Sequence, residues 1–297
     1  MGVRLGPNQY GKAEIRMVTV GRDGPVHRLR DLTVSTALRG RLEATHLSGD
    51  NADVVATDTQ KNTVYAFAKQ HGVHELEDFA LRVGRHFVDG FEHITGARIL
   101  VEEHPWDRIT VDGSPHDHAF SRGGEERRTT AVTIDGDSSW VVSGLSGLVV
   151  LKSTGSEFHG FPRDEYTTLP ETEDRILATA VTARWRYRDG AAADWSACFA
   201  AVRRALLETF ANKHSLSLQQ TLYAMGEAAL AARDELAEIR LSLPNRHHFL
   251  VDLSSFGLDN PNEVFFAADR PYGLIEGTVT RDDAGDPGLA WHTLEAF

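Results

Sequence analysis

Cysteine is almost absent from this chain of 297 residues, in which Cys198 is the single example. One thiol can form neither an intrachain disulfide nor a multi-cysteine metal cluster, so the fold must rest on its apolar core, and a reducing compartment is expected. Cys198 continues a helical apolar stripe. We therefore expect Cys198 to pack in the core.

Positive charge is also scarce. The chain has 31 Lys and Arg residues and 43 Asp and Glu residues, which gives a net charge of -12. A general binder of nucleic acid or of an anionic membrane attracts its partner through an excess of Lys and Arg. Neither partner is expected here. An anionic substrate would need a local basic site.

Long apolar runs are missing, since no stretch of about 18 apolar residues could form a transmembrane helix. The N-terminus lacks the charged-then-apolar pattern of a signal peptide. The C-terminus, Leu-Glu-Ala-Phe, does not match the Ser-Lys-Leu type of peroxisomal address. These absences predict a cytoplasmic protein.

The apolar residues that are present divide the first half of the chain into strands and helices. Alternation and spacing by three or four residues predict two strands, two helices and two more strands at residues 10–20, 27–38, 64–68, 76–91, 97–109 and 127–134. Turn residues at 21–25, Gly-Arg-Asp-Gly-Pro, join the first strands into a hairpin. Residues 110–124 are predicted to form a polar loop.

The second half repeats this order. Strands are predicted at residues 139–152 and 179–188, helices at 195–210 and 218–229, and extended segments near Ile239, Phe249, Val264 and Leu274. Residues 153–176 form a long loop, the kind of segment that often carries function.

This repetition predicts an α+β protein of two tandem domains, residues 1–136 and 137–297. Each is an antiparallel four-stranded sheet with two helices on one face. The edge strands of such sheets need covering, and edge-to-edge pairing of several copies into a closed barrel would cover them. A ring-like homo-oligomer is therefore expected.

Two segments of the first domain could carry chemistry. Lys12 lies at the start of the first strand, where a lysine is by default a solvated charge. Thr57 is followed three residues later by Gln60, which fits a capping box before an amphipathic helix. The same geometry presents backbone N–H groups and a hydroxyl at the positive end of a helix, a natural place for an anion.

The aromatic residues in the long loop of the second domain can be interpreted in two ways. Phe158 and Phe161 either pack in the core or offer an aromatic face to a planar heterocycle, at about 1–3 kcal/mol per stacked base. Arg175 could be an ordinary surface ion-pair residue. Asn245, in Leu-Pro-Asn-Arg-His-His-Phe, could serve only the turn in which it lies.

A metal site is not expected. His116 and His118 have the spacing of two ligands on one strand, but zinc needs a third and a fourth ligand, and no local pattern supplies them. The pair nevertheless leaves a metal-dependent enzyme open as an alternative.

Together the segments resemble the urate oxidase (uricase) family of bacterial type, from Tyr10 to about Ile275. The motifs that carry the resemblance occur in the family's order: Tyr-Gly-Lys, Ala-Thr-Asp-Thr-Gln-Lys-Asn, Lys-Ser-Thr-Gly-Ser-Glu-Phe-His-Gly-Phe, Asp-Arg-Ile-Leu-Ala-Thr, Gln-Thr-Leu-Tyr and Leu-Pro-Asn-Arg-His-His-Phe. The resemblance implies two tandem tunnelling folds (T-folds) and a homotetramer whose active sites lie between subunits.

The resemblance also implies which residues bind urate, a flat anion edged with carbonyl and N–H groups. Phe158 would stack on its face. Arg175, with a bidentate guanidinium, and Gln219, with an amide that donates and accepts, would form hydrogen bonds with one edge of the purine. The remaining implied contacts are the backbone around Thr57, Asp58 and Leu218 and the apolar walls Leu169 and Ile275.

The catalytic residues implied by the resemblance are Lys12, Thr57 and His247, a proton relay. Asn245 with Thr57 would hold oxygen and then water above the ring. Lys12, Thr57 and Asp58 would come from one subunit, and Phe158, Arg175, Gln219 and His247 from its neighbour.

The implied reaction needs no metal or other cofactor, because deprotonated urate can pass electrons one at a time to O2. Attack of water on the oxidised ring would give 5-hydroxyisourate and hydrogen peroxide. The metal-dependent alternative would be a pterin or purine cyclohydrolase or synthase on the same fold, with His116 and His118 helping to hold zinc. A non-catalytic purine-binding protein is a further alternative, since it could keep Phe158, Arg175 and Gln219 without needing Lys12.

Overall fold

The computed structural model describes residues 2–188, 194–268 and 270–292. These residues form two compact units. Unit 1 holds the described residues up to Gly144 and those from Gly285 onward, and unit 2 runs from Leu145 to Ala284. Residues 294–297, the C-terminal residues that do not match a peroxisomal address, lie outside the described part.

Unit 1 begins with the predicted hairpin and two helices. Its elements are β1 (Tyr10–Gly21), β2 (Arg28–Gly40), α1 (Glu43–Leu47), α2 (Thr57–His71), α3 (Leu76–Gly90), β3 (Ile94–Glu103), β4 (Asp107–Val111), β5 (Ser114–Ser121) and β6 (Arg127–Asp135). The main strands pair in the order β1-β2-β3-β6, and every pair is antiparallel. The four antiparallel main strands predicted for the first domain are confirmed.

Helices α2 and α3 close the core of unit 1 over this sheet. Phe87 and Val83 of α3 are fully buried with Ile99 of β3 and Ile134 of β6. Burial of each such side chain contributes about 1.5–3 kcal/mol. A Cβ at Gly84 would lie 2.7 Å from Ile134 Cδ1, so a glycine permits the close approach of α3 to the sheet.

The prediction of a loop at residues 110–124 is wrong, because most of this segment belongs to the hairpin of β4 and β5. Asp112 and Gly113 both have positive φ, 50° and 78°, as a two-residue hairpin turn requires. Arg108 holds the hairpin by donating to the carbonyls of His116 and Asp117 at 3.0 and 2.7 Å. The Asp-Gly pair was the sequence signal for this turn.

Unit 2 contains the other four main strands. Its elements are β7 (Ser138–Lys152, which begins in unit 1), β8 (Leu177–Tyr187), α4 (Trp195–Asn212), α5 (Leu218–Ala232), β9 (Leu236–Asn245), β10 (His248–Leu250), a short 3₁₀ helix (Ser254–Phe256), β11 (Phe265–Ala267) and β12 (Gly273–Thr280). The main strands follow the order β7-β8-β9-β12, and β10 pairs with β11 separately.

The helices of unit 2 bury the apolar stripes that the sequence predicts. Cys198 of α4 is fully buried, which confirms its place in the core, and Leu206 and Met225 are buried with it. Asp194 caps α4 by accepting from the Ala197 N–H, and Ser217 caps α5. No helix within the described ranges is long and apolar enough to cross a membrane.

Candidate active site

The predicted site residues fall into two groups, one in each unit. The first group, in unit 1, is Lys12, Thr57 and Asp58. The second group, in unit 2, is Phe158, Leu169, Arg175, Leu218, Gln219, Asn245, His247 and Ile275.

Lys12 lies at an irregularity of β1. The pairing of β1 with β2 shifts register between Lys12 and Ile15, and Glu14 has φ of 56°. Such bulges re-aim side chains and are frequent beside active sites. A Cβ at Gly11 would lie 1.7 Å from the Thr36 carbonyl oxygen, so only glycine fits before Lys12.

The capping box predicted at Thr57 is wrong. The N-cap of α2 is Ala56, Thr57 is the first helical residue, and no side chain within the described residues caps this end. Gln60 instead turns inward and is fully buried, because its amide finds hydrogen-bond partners on β2 and at Val55. The start of α2 therefore keeps backbone N–H groups for a ligand.

Asp58, the second residue of α2, is exposed and faces positive charge. Its carboxylate accepts from Lys61 and from Asn62, the latter at 2.9 Å. The hydrogen bond and charge of Lys61 hold the pKa of Asp58 below its usual value, and the charge of Lys12 contributes. The first group therefore places Lys12 within electrostatic reach of the start of α2.

Phe158 stands in a small aromatic cluster rather than in the core. It is half-buried and stacks on Phe161, with ring centroids 5.0 Å apart and planes 16° from parallel. Backbone hydrogen bonds of 2.8 and 3.0 Å join Phe158 to Thr172 in both directions. The loop is thus held at the residue predicted to stack on a substrate, and the core interpretation of these rings is wrong.

Arg175 is a half-buried cation that has no carboxylate partner in the described part of the chain. Its guanidinium carbon lies 5.1 Å from the centroid of the Phe158 ring, and Nε donates to Ser156 Oγ at 3.4 Å. Burial lowers the pKa of the guanidinium. None of the salt bridges among the described residues includes Arg175, so the ion-pair interpretation is wrong and the charge is available to an anion.

His247 lies within electrostatic reach of Arg175. Burial lowers the pKa of the imidazole, and the charges of Arg175 and His248 lower it further. The ring stacks on Phe249 at a centroid distance of 5.6 Å and an interplanar angle of 20°. Arg175 therefore lies against Phe158 and within electrostatic reach of His247.

Asn245 and Ile275 lie on the paired strands β9 and β12. Asn245 is buried and stands opposite Gly273 of β12 and Thr179 of β8, while Ile275 stands opposite Leu243. The hydroxyl of Thr179 is buried and has no hydrogen-bond partner in the described part of the chain.

Helix α5 supplies two predicted contacts from its first turn. Leu218 is buried, and Gln219 is exposed next to it. Leu169 is also exposed, at 47%, on the outer part of the long loop. These positions leave Gln219 and Leu169 open to a ligand or to another copy of the chain.

A buried polar network ties the long loop to the start of α5, and sequence reasoning missed it. Lys152 Nζ donates to Ser215 Oγ at 2.7 Å and also to the Lys213 carbonyl, and burial lowers its pKa. Ser215 Oγ also bonds Thr221 at 2.6 Å. The backbones of Ser156 and Ser215 form an isolated β-bridge, so the segment before Phe158 is fixed to the segment that leads into α5. The only sequence signal was a lysine at the end of a strand.

Glu157, next to Phe158, links two histidines that the sequence did not single out. Its carboxylate bonds His159 at 2.8 Å and also His214. The hydrogen bonds of His214 and then His159 lower the pKa of Glu157. This contact joins the loop a second time to the segment before α5.

The histidines that left a metal-dependent alternative open lie on the β4–β5 hairpin. His116 and His118 have ring centroids 4.6 Å apart at 88°, and the His118 N–H donates to His116 Nδ1 at 3.3 Å. Over the residues that the structure covers, no group of three or more His, Cys, Asp and Glu side chains could hold a metal ion.

Fold and site together define a tandem α+β protein. In its site a guanidinium that has no carboxylate partner among the described residues lies against an aromatic ring and within electrostatic reach of an imidazole of lowered pKa. A sequence model of the family described as Uricase matches residues 8–133 and 141–276. This chain therefore belongs to the uricase family.

Individual relatives agree with this family model. The chain is 56% identical over 295 residues to Uricase of Arthrobacter globiformis, covering 99% of this chain and 96% of that protein. It is 41% identical over 288 residues to Uricase of Aspergillus flavus, covering 92% and 95%. A crystal structure of uricase from Arthrobacter globiformis matches with a TM-score of 0.91 and 58% identity, over 95% of this chain and 96% of that one. The fold class and the family resemblance are confirmed.

Proposed function

We propose that this protein is a urate oxidase, which converts urate, O2 and water to 5-hydroxyisourate and hydrogen peroxide in purine degradation. Membership of the uricase family supports the activity. The structural observation that carries it is Arg175, a half-buried guanidinium that lies against an aromatic ring and has no carboxylate partner among the described residues. The metal-dependent cyclohydrolase alternative is not favoured by these relatives.

Substrate binding would use the second group of residues. Phe158 stacks on the purine face, Arg175 pairs with one edge of the anion, and Gln219 completes that edge from the start of α5. Leu169 and Ile275 contribute apolar walls. Backbone groups at Thr57, Asp58 and Leu218 supply the other polar contacts, and the uncapped start of α2 supports this role for the first two.

The chemical step would begin with loss of a proton from bound urate through Lys12 and Thr57, with His247 as the further member of the relay. The electron-rich anion then gives two electrons, one at a time, to O2, which takes up two protons and leaves as hydrogen peroxide. Asn245 and Thr57 hold first O2 and then the water whose oxygen adds to the oxidised ring. In this scheme the protein needs no cofactor beyond its co-substrate O2.

The proposed assembly is a homotetramer in the cytoplasm, with Lys12, Thr57 and Asp58 of one subunit facing Phe158, Arg175, Gln219 and His247 of its neighbour. Its support is the division of these residues between two units and the unpaired edges of β1 and β12 within the described strands. The domain boundary at residue 136 stays a prediction.

The activity can be tested with chelator-treated protein. We expect loss of urate absorbance together with uptake of one O2 for each urate consumed, unaffected by chelation. Urate binding without turnover would instead indicate a non-catalytic purine-binding protein. Turnover that stops on chelation, or proceeds without O2 uptake, would contradict the proposal.

A further inference from the structure

Four hydrogen bonds link the backbone of Lys12 to the side chain of Tyr10 by way of β2 and the start of α2. The Lys12 N–H donates to Thr36 Oγ1 at 3.2 Å, and that hydroxyl donates to Gln60 Oε1 at 2.6 Å. Gln60 Nε2 donates to the Val55 carbonyl at 3.2 Å, and the Val55 N–H donates to the Tyr10 hydroxyl at 2.8 Å. Tyr10 lies two residues before Lys12, so the peptide backbone between these residues closes the series of hydrogen bonds into a ring. We call these five residues the Gln60 ring.

Every link in the Gln60 ring has a defined direction. The Thr36 hydroxyl accepts from one neighbour and donates to the next, and the Gln60 amide uses its oxygen on β2 and its nitrogen at Val55. Gln60 is fully buried and Thr36 is 3% exposed. Water therefore cannot easily replace a lost partner, and removal of one group leaves another polar atom unsatisfied.

The Gln60 ring joins the two segments that carry the proposed proton relay. Its β1 side holds the backbone of Lys12 at the register shift, and its α2 side holds Val55, two residues before Thr57. No side chain among the described residues caps α2, and the hydrogen bonds of Gln60 and Tyr10 to Val55 hold the segment that leads into the helix. A misplacement of about 1 Å between reacting groups can cost about 100-fold in rate.

We infer that Thr36 and Gln60 are positioning residues that set the distance between Lys12 and Thr57 through the Gln60 ring. This inference rests on the proposed function, in which Lys12 and Thr57 act as a pair. Neither Thr36 nor Gln60 needs to touch urate, so their loss should lower kcat more than it raises KM.

The first test compares Thr36→Val with Thr130→Val. Both remove a buried hydroxyl from a strand of unit 1, but Thr130 bonds the Val142 carbonyl outside the ring. We expect Thr36→Val to lower kcat about 10-fold or more with KM changed less than about twofold, and Thr130→Val to keep kcat near the wild-type value. Equal kcat values for the two variants would overturn the inference.

The second test uses Gln60→Glu, which has nearly the same shape. When the introduced carboxyl group is protonated, it can accept from Thr36 and donate to Val55, as the amide does. When it is ionised, it cannot donate and it repels the Val55 carbonyl. We therefore expect the kcat of this variant, relative to wild type, to be highest at acid pH and to fall at least about 10-fold as pH rises. A ratio independent of pH would contradict the inference.

Tyr10→Phe gives a test if Thr36→Val does not fold, since it removes only the hydroxyl that accepts from Val55. A lower kcat with little change in KM supports the inference, and wild-type kinetics contradict it. Lys12→Met separates the two proposals. If wild type does not oxidise urate, the proposed function fails. If wild type oxidises urate and Lys12→Met is fully active, the relay role of Lys12 fails and the positioning role fails with it. If Lys12→Met is impaired while the ring variants match Thr130→Val, only the positioning role fails.

Discussion

At the scale of single residues, recognition of an anion depends on Arg175. The whole chain carries a net charge of -12, so a negative substrate needs a local cation. Arg175 is held by Ser156 and by the Phe158 ring, and no described carboxylate competes for it. Its charge is therefore available to bind a ligand rather than to stabilise the fold.

Arg175→Ala should weaken urate binding more than it slows the chemistry. The guanidinium contacts are made in both the ground state and the transition state, so their loss appears mainly in KM. Loss of a charged hydrogen bond of about 1.5–3 kcal/mol corresponds to a rise in KM of about 10-fold or more. Steady-state kinetics beside Arg204→Ala, an exposed arginine of α4 in the same unit, measures this. A normal KM would contradict the role of Arg175.

The lowered pKa of His247 predicts how turnover changes at acid pH. Its pKa is lowered by burial and by the charge of Arg175, so the ring is neutral at neutral pH and gains a proton only below the usual range of histidine. The neutral ring is the form that can accept a proton. Turnover should therefore persist through the pH range in which histidine usually gains a proton, and it should fall below that range. In Arg175→Ala the fall should move to higher pH, and kcat profiles that coincide would contradict this.

At the scale of elements, apolar periodicity was enough to place the main strands and helices, because each buries one face against a single core. The β4–β5 hairpin was missed, although Asp112-Gly113 signalled its turn. The capping box was predicted wrongly because Gln60 has partners on β2 and at Val55 that local sequence does not show. Of the candidate site, the residue types were predictable, but the buried networks around Gln60 and Lys152 depend on tertiary contacts.

Lys152 connects the loop of Phe158 to the start of α5, where Gln219 lies. Lys152→Met removes a charged hydrogen bond to Ser215, so we expect a loss of about 1–3 kcal/mol in the free energy of unfolding and a higher KM for urate. Urea denaturation and steady-state kinetics measure the two effects. Lys213→Met is the matched control, since Lys213 contributes its backbone carbonyl to Lys152. Equal behaviour of the two variants would argue against this connection.

At the scale of the whole molecule, the proposed active site is shared between copies of the chain. Lys12 belongs to unit 1 and Arg175 to unit 2, and the proposal places them at one site only when they come from neighbouring subunits. A closed homo-oligomer repeats that contact at every equivalent interface. Two variants with opposite defects should therefore complement each other.

The most direct measurement is the activity of mixed oligomers assembled from Lys12→Met and Arg175→Ala chains. Each variant alone lacks one half of every site. In random mixtures about a quarter of the sites combine an intact Lys12 from one chain with an intact Arg175 from the other. At urate concentrations well below the wild-type KM, where the weak binding of Arg175→Ala limits its activity, the mixture should therefore rise toward about a quarter of the wild-type value. Mixtures no more active than the two parents, despite confirmed exchange of subunits, would contradict a site built jointly by neighbouring copies.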